Sequence, residues 1–186
     1  MPDWLHGLGP WLKAHPDLIF PLLLSLVMAG WDLKTRCIPN YLTLGGALAG
    51  LGVQLGYHGL PGLLDGLAGL GLGLALFIGP YVLGGMGAGD VKASAALGAW
   101  LGLRPALAFF IYIGISGGVI ILVLWLWQGR LLAGLRQGWH FLLNWCLCRP
   151  FGVKPPPPES LKHTSIPYGA AVALGMVVLC WRRGAP

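Results

Sequence analysis

The sequence predicts an all-α membrane protein, a polytopic bundle of about six transmembrane helices. Of its 186 residues, 56% are hydrophobic and only 10% are charged, and the mean hydropathy is +0.73. A soluble domain carries about 25% charged residues, so this composition excludes a solvated globule. The net charge is +6, but the basic residues are scattered and accompany no nucleic-acid-binding motif, so no nucleic-acid partner is expected. The expected surroundings are a lipid bilayer.

Uncharged windows locate the helices, because a helix needs about 20 apolar residues to cross a bilayer. We predict helices near residues 18–31, 42–57, 63–83, 91–103, 106–127 and 166–181. The fourth follows Asp90 and is either short or begins before Lys92. Pro80 predicts a kink near the end of the third helix. The whole chain, 1–186, is predicted to form a single domain.

The distribution of Lys and Arg predicts the orientation in the membrane. With six spans, the side that holds the loop after the first helix carries most of the basic residues, namely Lys34, Arg36, Lys92, Arg130, Arg136, Arg149, Lys154 and Lys162. The positive-inside rule places this side in the cytoplasm. The loop 128–165 is then cytoplasmic, with an interfacial amphipathic segment at 139–148 and a polyproline spacer at 155–158.

Glycine is dense in the middle of the chain, where residues 45–89 hold 16 of the 31 glycines. Four pairs have a four-residue spacing, which lets helix backbones approach closely. We therefore predict tight helix packing at Gly46/Gly50, Gly52/Gly56, Gly62/Gly66 and Gly69/Gly73.

Two aspartates are the candidates for chemistry. In the predicted topology Asp32 and Asp90 lie on the same side of the membrane and Asp65 lies on the other. An acid at membrane depth is costly and therefore marks a functional site. Two carboxylates that share a site cannot both ionise cheaply, so one keeps its proton. The ionised acid can then take a proton from water while the neutral acid protonates a peptide carbonyl.

Three short motifs surround these acids. Asp90 ends a GxGD motif, Gly87-Ala88-Gly89-Asp90, and Asp32 is followed by Ile38-Pro39-Asn40. The last predicted helix starts at Ile166-Pro167-Tyr168-Gly169. In this order, Asp…IPN, GxGDVK and IPYG resemble the type IV prepilin peptidase family of GxGD aspartic proteases. Each piece alone is weak, but the combination is specific and spans residues 31–175.

The resemblance implies a membrane-embedded aspartic endopeptidase of the bacterial inner membrane, with its site facing the cytoplasm. It implies catalysis by Asp32 and Asp90, a prepilin or pseudopilin substrate, and no cofactor. It also implies a set of positioning residues, namely Lys34, Pro39, Asn40, Gly87, Gly89, Lys92, Pro167 and Tyr168. About 17 residues without a cysteine precede the first helix, which is similar to the short, peptidase-only branch of tight-adherence (Flp) pilus systems. Methyltransferase activity is therefore not expected.

Other functions stay open at this point. Presenilin-type proteases share GxGD, but they pair it with Tyr-Asp and a later Pro-Ala-Leu, whereas Trp31 precedes Asp32 here. A transporter or assembly subunit could use the acids to carry protons or ions, and Asp32 could simply lie among lipid headgroups. No metal is expected, because ligand spacing is missing both from the cysteines and from His58, His140 and His163.

Overall fold

The computed structural model describes residues 16–82, 86–127, 129, 136 and 168–184. The elements in these ranges are helices, which confirms the predicted all-α fold: α1 (Pro16–Thr35), α2 (Asn40–Val82), α3 (Ala88–Leu101), α4 (Leu103–Trp127) and α5 (Tyr168–Gly184). Within α1, α2 and α4, the stretches Asp17–Thr35, Asn40–Val82 and Leu103–Trp127 are long and apolar enough to cross a membrane. The predicted membrane helix bundle is therefore confirmed as a class.

Helix α1 extends beyond its predicted end at residue 31 and contains Asp32. Asp17 in its first turn and Lys34 in its last turn complement the helix dipole. The helix stops at Arg36, whose φ of 52° lies in the left-handed region and whose N–H bonds the Asp32 carbonyl at 2.7 Å. Asp32 therefore sits on a fixed helical turn rather than in the following loop.

Helix α2 is a hairpin of two segments that meet at Gly59. This glycine has φ 65° and ψ −152°, a conformation that residues with a side chain rarely adopt. A Cβ placed on Gly66 would lie 3.1 Å from the Leu51 side chain, although these residues would be about 22 Å apart along a straight helix. The chain thus reverses at Gly59, and the segments are α2a (residues 40–58) and α2b (residues 60–82).

The predicted boundaries change accordingly. The predicted second and third helices are separated by Gly59 alone. The prediction of a longer non-helical connection, residues 58–62, was wrong. The helical conformation continues through Pro80, and Gly59 is the residue in α2 whose dihedral angles leave the helical region. Helix α3 begins at Ala88, which confirms the alternative that it starts before Lys92, and α4 begins three residues before the predicted residue 106. With α2 counted as two segments, the described ranges agree with about six helices.

Glycines bring α2b and α3 into backbone contact. A Cβ on Gly73 would lie 2.9 Å from the Cα of Ala95, and Gly69 lies against the carbonyl of Gly98. The predicted close packing is thus confirmed at Gly69/Gly73. It was wrong for Gly52/Gly56, because no described atom lies within 4 Å of a Cβ at either position.

Helices α1 and α5 pack side by side in antiparallel directions. Arg183 near the end of α5 forms an exposed ion pair of 3.4 Å with Asp17 at the start of α1. At the other end, Gly169 near the start of α5 contacts Asp32. The C-terminal helix thereby reaches the candidate site through its first turn.

Two compact units divide the chain. Residues 1–116 and 167–186 form the first unit, which contains all the contacts described below. Residues 117–166 form the second, where the structure describes the end of α4, Gly129 and Arg136. The predicted interfacial segment 139–148 and the spacer 155–158 lie outside the described residues, so the single-domain arrangement stays a prediction.

Candidate active site

Asp32 lies in the last turn of α1 and is only 8% exposed. Its Oδ2 atom accepts a buried hydrogen bond of 2.8 Å from the backbone N–H of Gly169. Gly169 is the second residue of α5, and the first N–H groups of a helix have no partner inside that helix. The start of α5 therefore supplies a donor to a carboxylate that burial removes from water.

Asp90 lies in the first turn of α3, outside the three candidate membrane spans. Burial first, and the charge of Asp32 second, raise the pKa of this carboxyl from 3.8 to about 6. The N–H of Gly87, which donates to Asp90 Oδ2 at 3.2 Å, opposes this shift. The two aspartates therefore lie close enough for the charge of one to affect the protonation of the other.

The two sequence motifs that carry the aspartates pack against each other. A Cβ placed on Gly89 would lie 3.4 Å from both the Cβ and the N atom of Ile38, which is itself 5% exposed. The next residue, Pro39, starts α2 by accepting hydrogen bonds from the N–H groups of Leu42 and Thr43. The glycine before Asp90 thus allows the loop after Asp32 to approach the first turn of α3.

Lys92 and Asn40 contact each other directly. The Lys92 Nζ atom donates a hydrogen bond of 2.9 Å to the Asn40 Oδ1 atom at the exposed edge of the site. Lys34 is exposed in the last turn of α1, and Pro167 lies outside the described residues. This hydrogen bond joins α2 to α3 close to Asp90. Both residues were predicted from the sequence as positioning residues, but their contact was not.

Tyr168 is the first residue of α5, and its hydroxyl lies 2.9 Å from the Ser94 hydroxyl. Ser94 is fully buried and follows Asp90 by four residues, so it lies one turn further along the same face of α3. Sequence reasoning missed Ser94 and did not select Gly169. The available signals were a hydroxyl at i+4 from the acid in a helix of small residues, and the final glycine of IPYG.

Asp65 lies at the opposite end of α3. Its Oδ1 atom accepts a hydrogen bond of 3.2 Å from the N–H of Leu103, the first residue of α4. Gly102 beside it has φ 74°, and its Cα faces the same carboxylate. Twelve helical residues, or about 18 Å, separate this end from Asp90, which agrees with the predicted placement of Asp65 on the other side.

Together, the helices and the paired acids define a helical membrane protein with two interacting carboxylates at one end of its bundle. The chain belongs to the type IV leader peptidase family, whose sequence profile matches residues 18–122, more than half of its length. The prepilin leader peptidase/N-methyltransferase of Pectobacterium carotovorum subsp. carotovorum is 33% identical over 130 residues. That match covers 66% of this chain and 44% of the relative, so the chain spans less than half of the relative's length. No solved structure matches the chain significantly.

Proposed function

We propose that this chain is an aspartic endopeptidase that removes the leader peptide of type IV prepilins or pseudopilins. The observation that carries the proposal is that the motifs holding Asp32 and Asp90 meet at one end of the bundle, where Gly89 packs against Ile38. Family membership and the name of the relative support the substrate class. We propose the peptidase activity alone, because two carboxylates supply hydrolytic chemistry.

The first step adds water to the scissile carbonyl. Ionised Asp32 takes one proton from the water, and the oxygen of this water bonds to the carbonyl carbon. Protonated Asp90 gives its proton to the carbonyl oxygen, and a neutral geminal diol results. At this stage Asp32 carries the proton and Asp90 is the carboxylate.

The second step breaks the carbon–nitrogen bond. Asp32 gives its proton to the leaving nitrogen, and the Asp90 carboxylate takes a proton from one diol hydroxyl as the carbonyl forms again. The products are a carboxylic acid and an amine, and both aspartates return to their starting protonation states. The cycle needs one ionised and one neutral carboxyl, the arrangement that proximity of two acids favours.

We further propose that this site faces the cytoplasm of the bacterial inner membrane. Lys34 and Lys92 lie in the same helix ends as Asp32 and Asp90, and basic residues concentrate on the cytoplasmic side of membrane proteins. A leader peptide that enters from the cytoplasm would meet the site at the membrane boundary.

The test is co-expression with candidate prepilins from the same genome, scored by immunoblot for the mobility shift of leader removal. Asp32→Asn and Asp90→Asn keep the size of each side chain but remove the acid. Each should lower cleavage by about 10²- to 10⁴-fold, the range for a lost general acid or base. Only precursor should then be visible, while the protein remains inserted in the membrane.

Asp65→Asn is the matched control, because it makes the same change on α2b, near the far end of α3 and about 18 Å from Asp90. It should leave cleavage intact. An inactive Asp65→Asn protein together with an active Asp32→Asn or Asp90→Asn protein would contradict the assignment. A metal chelator should have no effect on cleavage, and a loss of activity that added metal restores would point to a different mechanism.

A further inference from the structure

The first two residues of α5 contact both of the helices that carry the aspartates. Gly169 donates its N–H to Asp32 on α1 at 2.8 Å, and the Tyr168 hydroxyl lies 2.9 Å from that of Ser94 on α3. Helix α5 packs along α1 but meets α3 over a short stretch only. Helices α1 and α3 also meet directly, since Met28 shares a hydrophobic cluster with Ala93 and Ala96. The two hydrogen bonds add a connection through α5 at the end that carries the aspartates.

Position 169 accepts only a glycine without rearrangement. A Cβ there would lie 2.8 Å from the Cα of Ala29, 2.9 Å from the Cβ of Asp32 and 3.0 Å from Asp32 Oδ2. Ala29 Cα belongs to the backbone of α1, so it cannot move aside as a flexible side chain would. A larger residue must instead shift α5 away from α1 and lengthen the bond to Asp32.

The hydrogen bond from Gly169 compensates the buried Asp32 carboxyl and fixes its orientation. A buried carboxylate is costly unless donors compensate for the lost water, and an N–H that donates to it stabilises the charged form. The positive end of the α5 dipole acts in the same direction. The Asp90 carboxyl from α3 interacts with Asp32, while the Tyr168 hydroxyl from α5 bonds to Ser94 and the Lys92 ammonium from α3 bonds to Asn40.

We propose that Tyr168 and Gly169 form a strap, two positioning residues that hold α1 against α3 and set the two aspartates at their working separation. Gly169 orients Asp32 as the water-activating base through its N–H, and Tyr168 anchors the start of α5 to the helix that carries Asp90. The inference rests on the proposed function for its activity measurements. It also makes a structural claim that can be tested without any substrate.

Gly169→Ala is the first variant. A displacement of about 1 Å at a catalytic group can cost about 100-fold in rate, so we expect kcat to fall about 100-fold and KM to stay within about twofold.

Two other glycines give matched controls. A Cβ on Gly175 would lie 3.0 Å from the N atom of Ile113, so Gly175→Ala also disturbs α5, but away from Asp32. It should lower the yield of folded protein and leave the kcat of the folded protein unchanged. Gly30→Ala, two residues before Asp32 with no described atom within 4 Å of its Cβ, should behave as the unmodified protein. An unchanged kcat in Gly169→Ala, or a fall in kcat that Gly175→Ala reproduces, overturns the strap.

The hydroxyl pair is tested by a double-mutant cycle. Tyr168→Phe and Ser94→Ala each remove one partner, and a lost hydrogen bond of about 1 kcal/mol corresponds to about a fivefold fall in kcat. The double variant should be no slower than either single variant, because both remove the same bond. Effects that multiply would overturn the role of this pair.

Hydrogen exchange separates the strap from the proposed function. In detergent micelles, peptides that cover residues 168–175 should exchange faster in Asp32→Ala, because the acceptor of the Gly169 N–H is gone. Exchange in residues 90–101 of α3 should stay unchanged, which shows that the variant is folded. Unchanged exchange at 168–175 overturns the strap even if cleavage is lost. Faster exchange in a chain whose unmodified form cleaves no prepilin supports the strap and rejects the proposed function.

Discussion

The two ends of α3 each place an aspartate beside a helix start, yet the two acids have different surroundings. At one end Asp90 accepts an N–H from Gly87, one turn back in the chain, and responds to the charge of Asp32. At the other end Asp65 accepts an N–H from Leu103. Both bonds are helix caps, so capping alone does not distinguish a reactive acid from a structural one.

The difference lies in the second carboxylate. Asp90 has a neighbouring acid, and burial together with the charge of this acid raises the pKa of Asp90 above that of an isolated aspartic acid. The described neighbours of Asp65 are the backbone of Gly102 and Leu103, which suit a side chain that caps the start of α4. A buried partner of the same charge is therefore a better guide to chemistry than the flanking motif.

The glycine contact between α2b and α3 supports both ends, so breaking it gives the largest expected effect. A Cβ on Gly98 would lie 2.8 Å from the carbonyl carbon of Gly69. Gly98→Ala must force these backbones apart, and overpacking of this kind costs about 1–3 kcal/mol. The free energy of unfolding in a detergent titration should fall by that amount, and prepilin cleavage should fall with it.

Gly71→Ala is the matched control, since a Cβ at this position of α2b meets no described atom within 4 Å. It should leave the free energy of unfolding unchanged or raise it slightly, as alanine is the better helix former. Equal destabilisation by both variants would show that the contact between α2b and α3 is not what holds α3 in place.

The pH dependence of cleavage should depend on Asp90 at one end of α3 and not on Asp65 near the other end. Asp90 must be protonated to act as the acid, and burial together with the charge of Asp32 raises its pKa to about 6. Cleavage should therefore fall about tenfold for each pH unit above 6, as the protonated fraction does. Asp65→Asn should show the same profile. A basic limb that moves in Asp65→Asn, or that starts several units higher, would assign the proton to another group.

Sequence reasoning predicted the helices and the side of the bundle that each aspartate occupies, because uncharged windows and the number of spans determine both. It did not predict how the helices join. Gly59 is one of many glycines in its region, and only the contact of α2a with α2b shows that the chain reverses there. The start of α3 was left between two alternatives, because Gly87 at the N-cap has no side chain and only the Asp90 carboxylate, which accepts the Gly87 N–H, marks this end.

The contacts within the site were also beyond the sequence. Lys92 and Asn40 were both singled out as positioning residues, but the sequence did not indicate that the Asn40 side chain accepts a hydrogen bond from Lys92. Ser94 looks like a packing residue until α5 brings Tyr168 to it. Such pairs arise only when distant elements meet, so local patterns carry no information about them.

Substitutions of Asp65 should have a smaller effect on the free energy of unfolding. They distinguish a helix-capping role of this side chain from a role in proton transport. Asn and Asp cap helices about equally well, whereas replacing either with Ala costs about 1 kcal/mol. Asp65→Ala should therefore lower the free energy of unfolding by about 1 kcal/mol, and Asp65→Asn should leave it nearly unchanged. A transporter that carries protons on this acid would instead lose its function in both variants.

The bond between Lys92 and Asn40 gives the smallest expected effect. It lies at the exposed edge of the site, where water replaces a lost partner, so its removal should cost about 0.5 kcal/mol of stability. Lys92→Met and Asn40→Ala should each lower the free energy of unfolding by this amount, and the double variant should lose no more than either single one.

Arg104→Met supplies the comparison, because it removes a cation at the Asp65 end of α3 and should change neither stability nor cleavage. If Lys92→Met lowers cleavage far more than Asn40→Ala does, the ammonium acts on substrate or on Asp90 rather than on the joint between α2 and α3. Equal, small effects on cleavage would instead show that this edge of the site only helps to keep α2a beside the helix that carries Asp90.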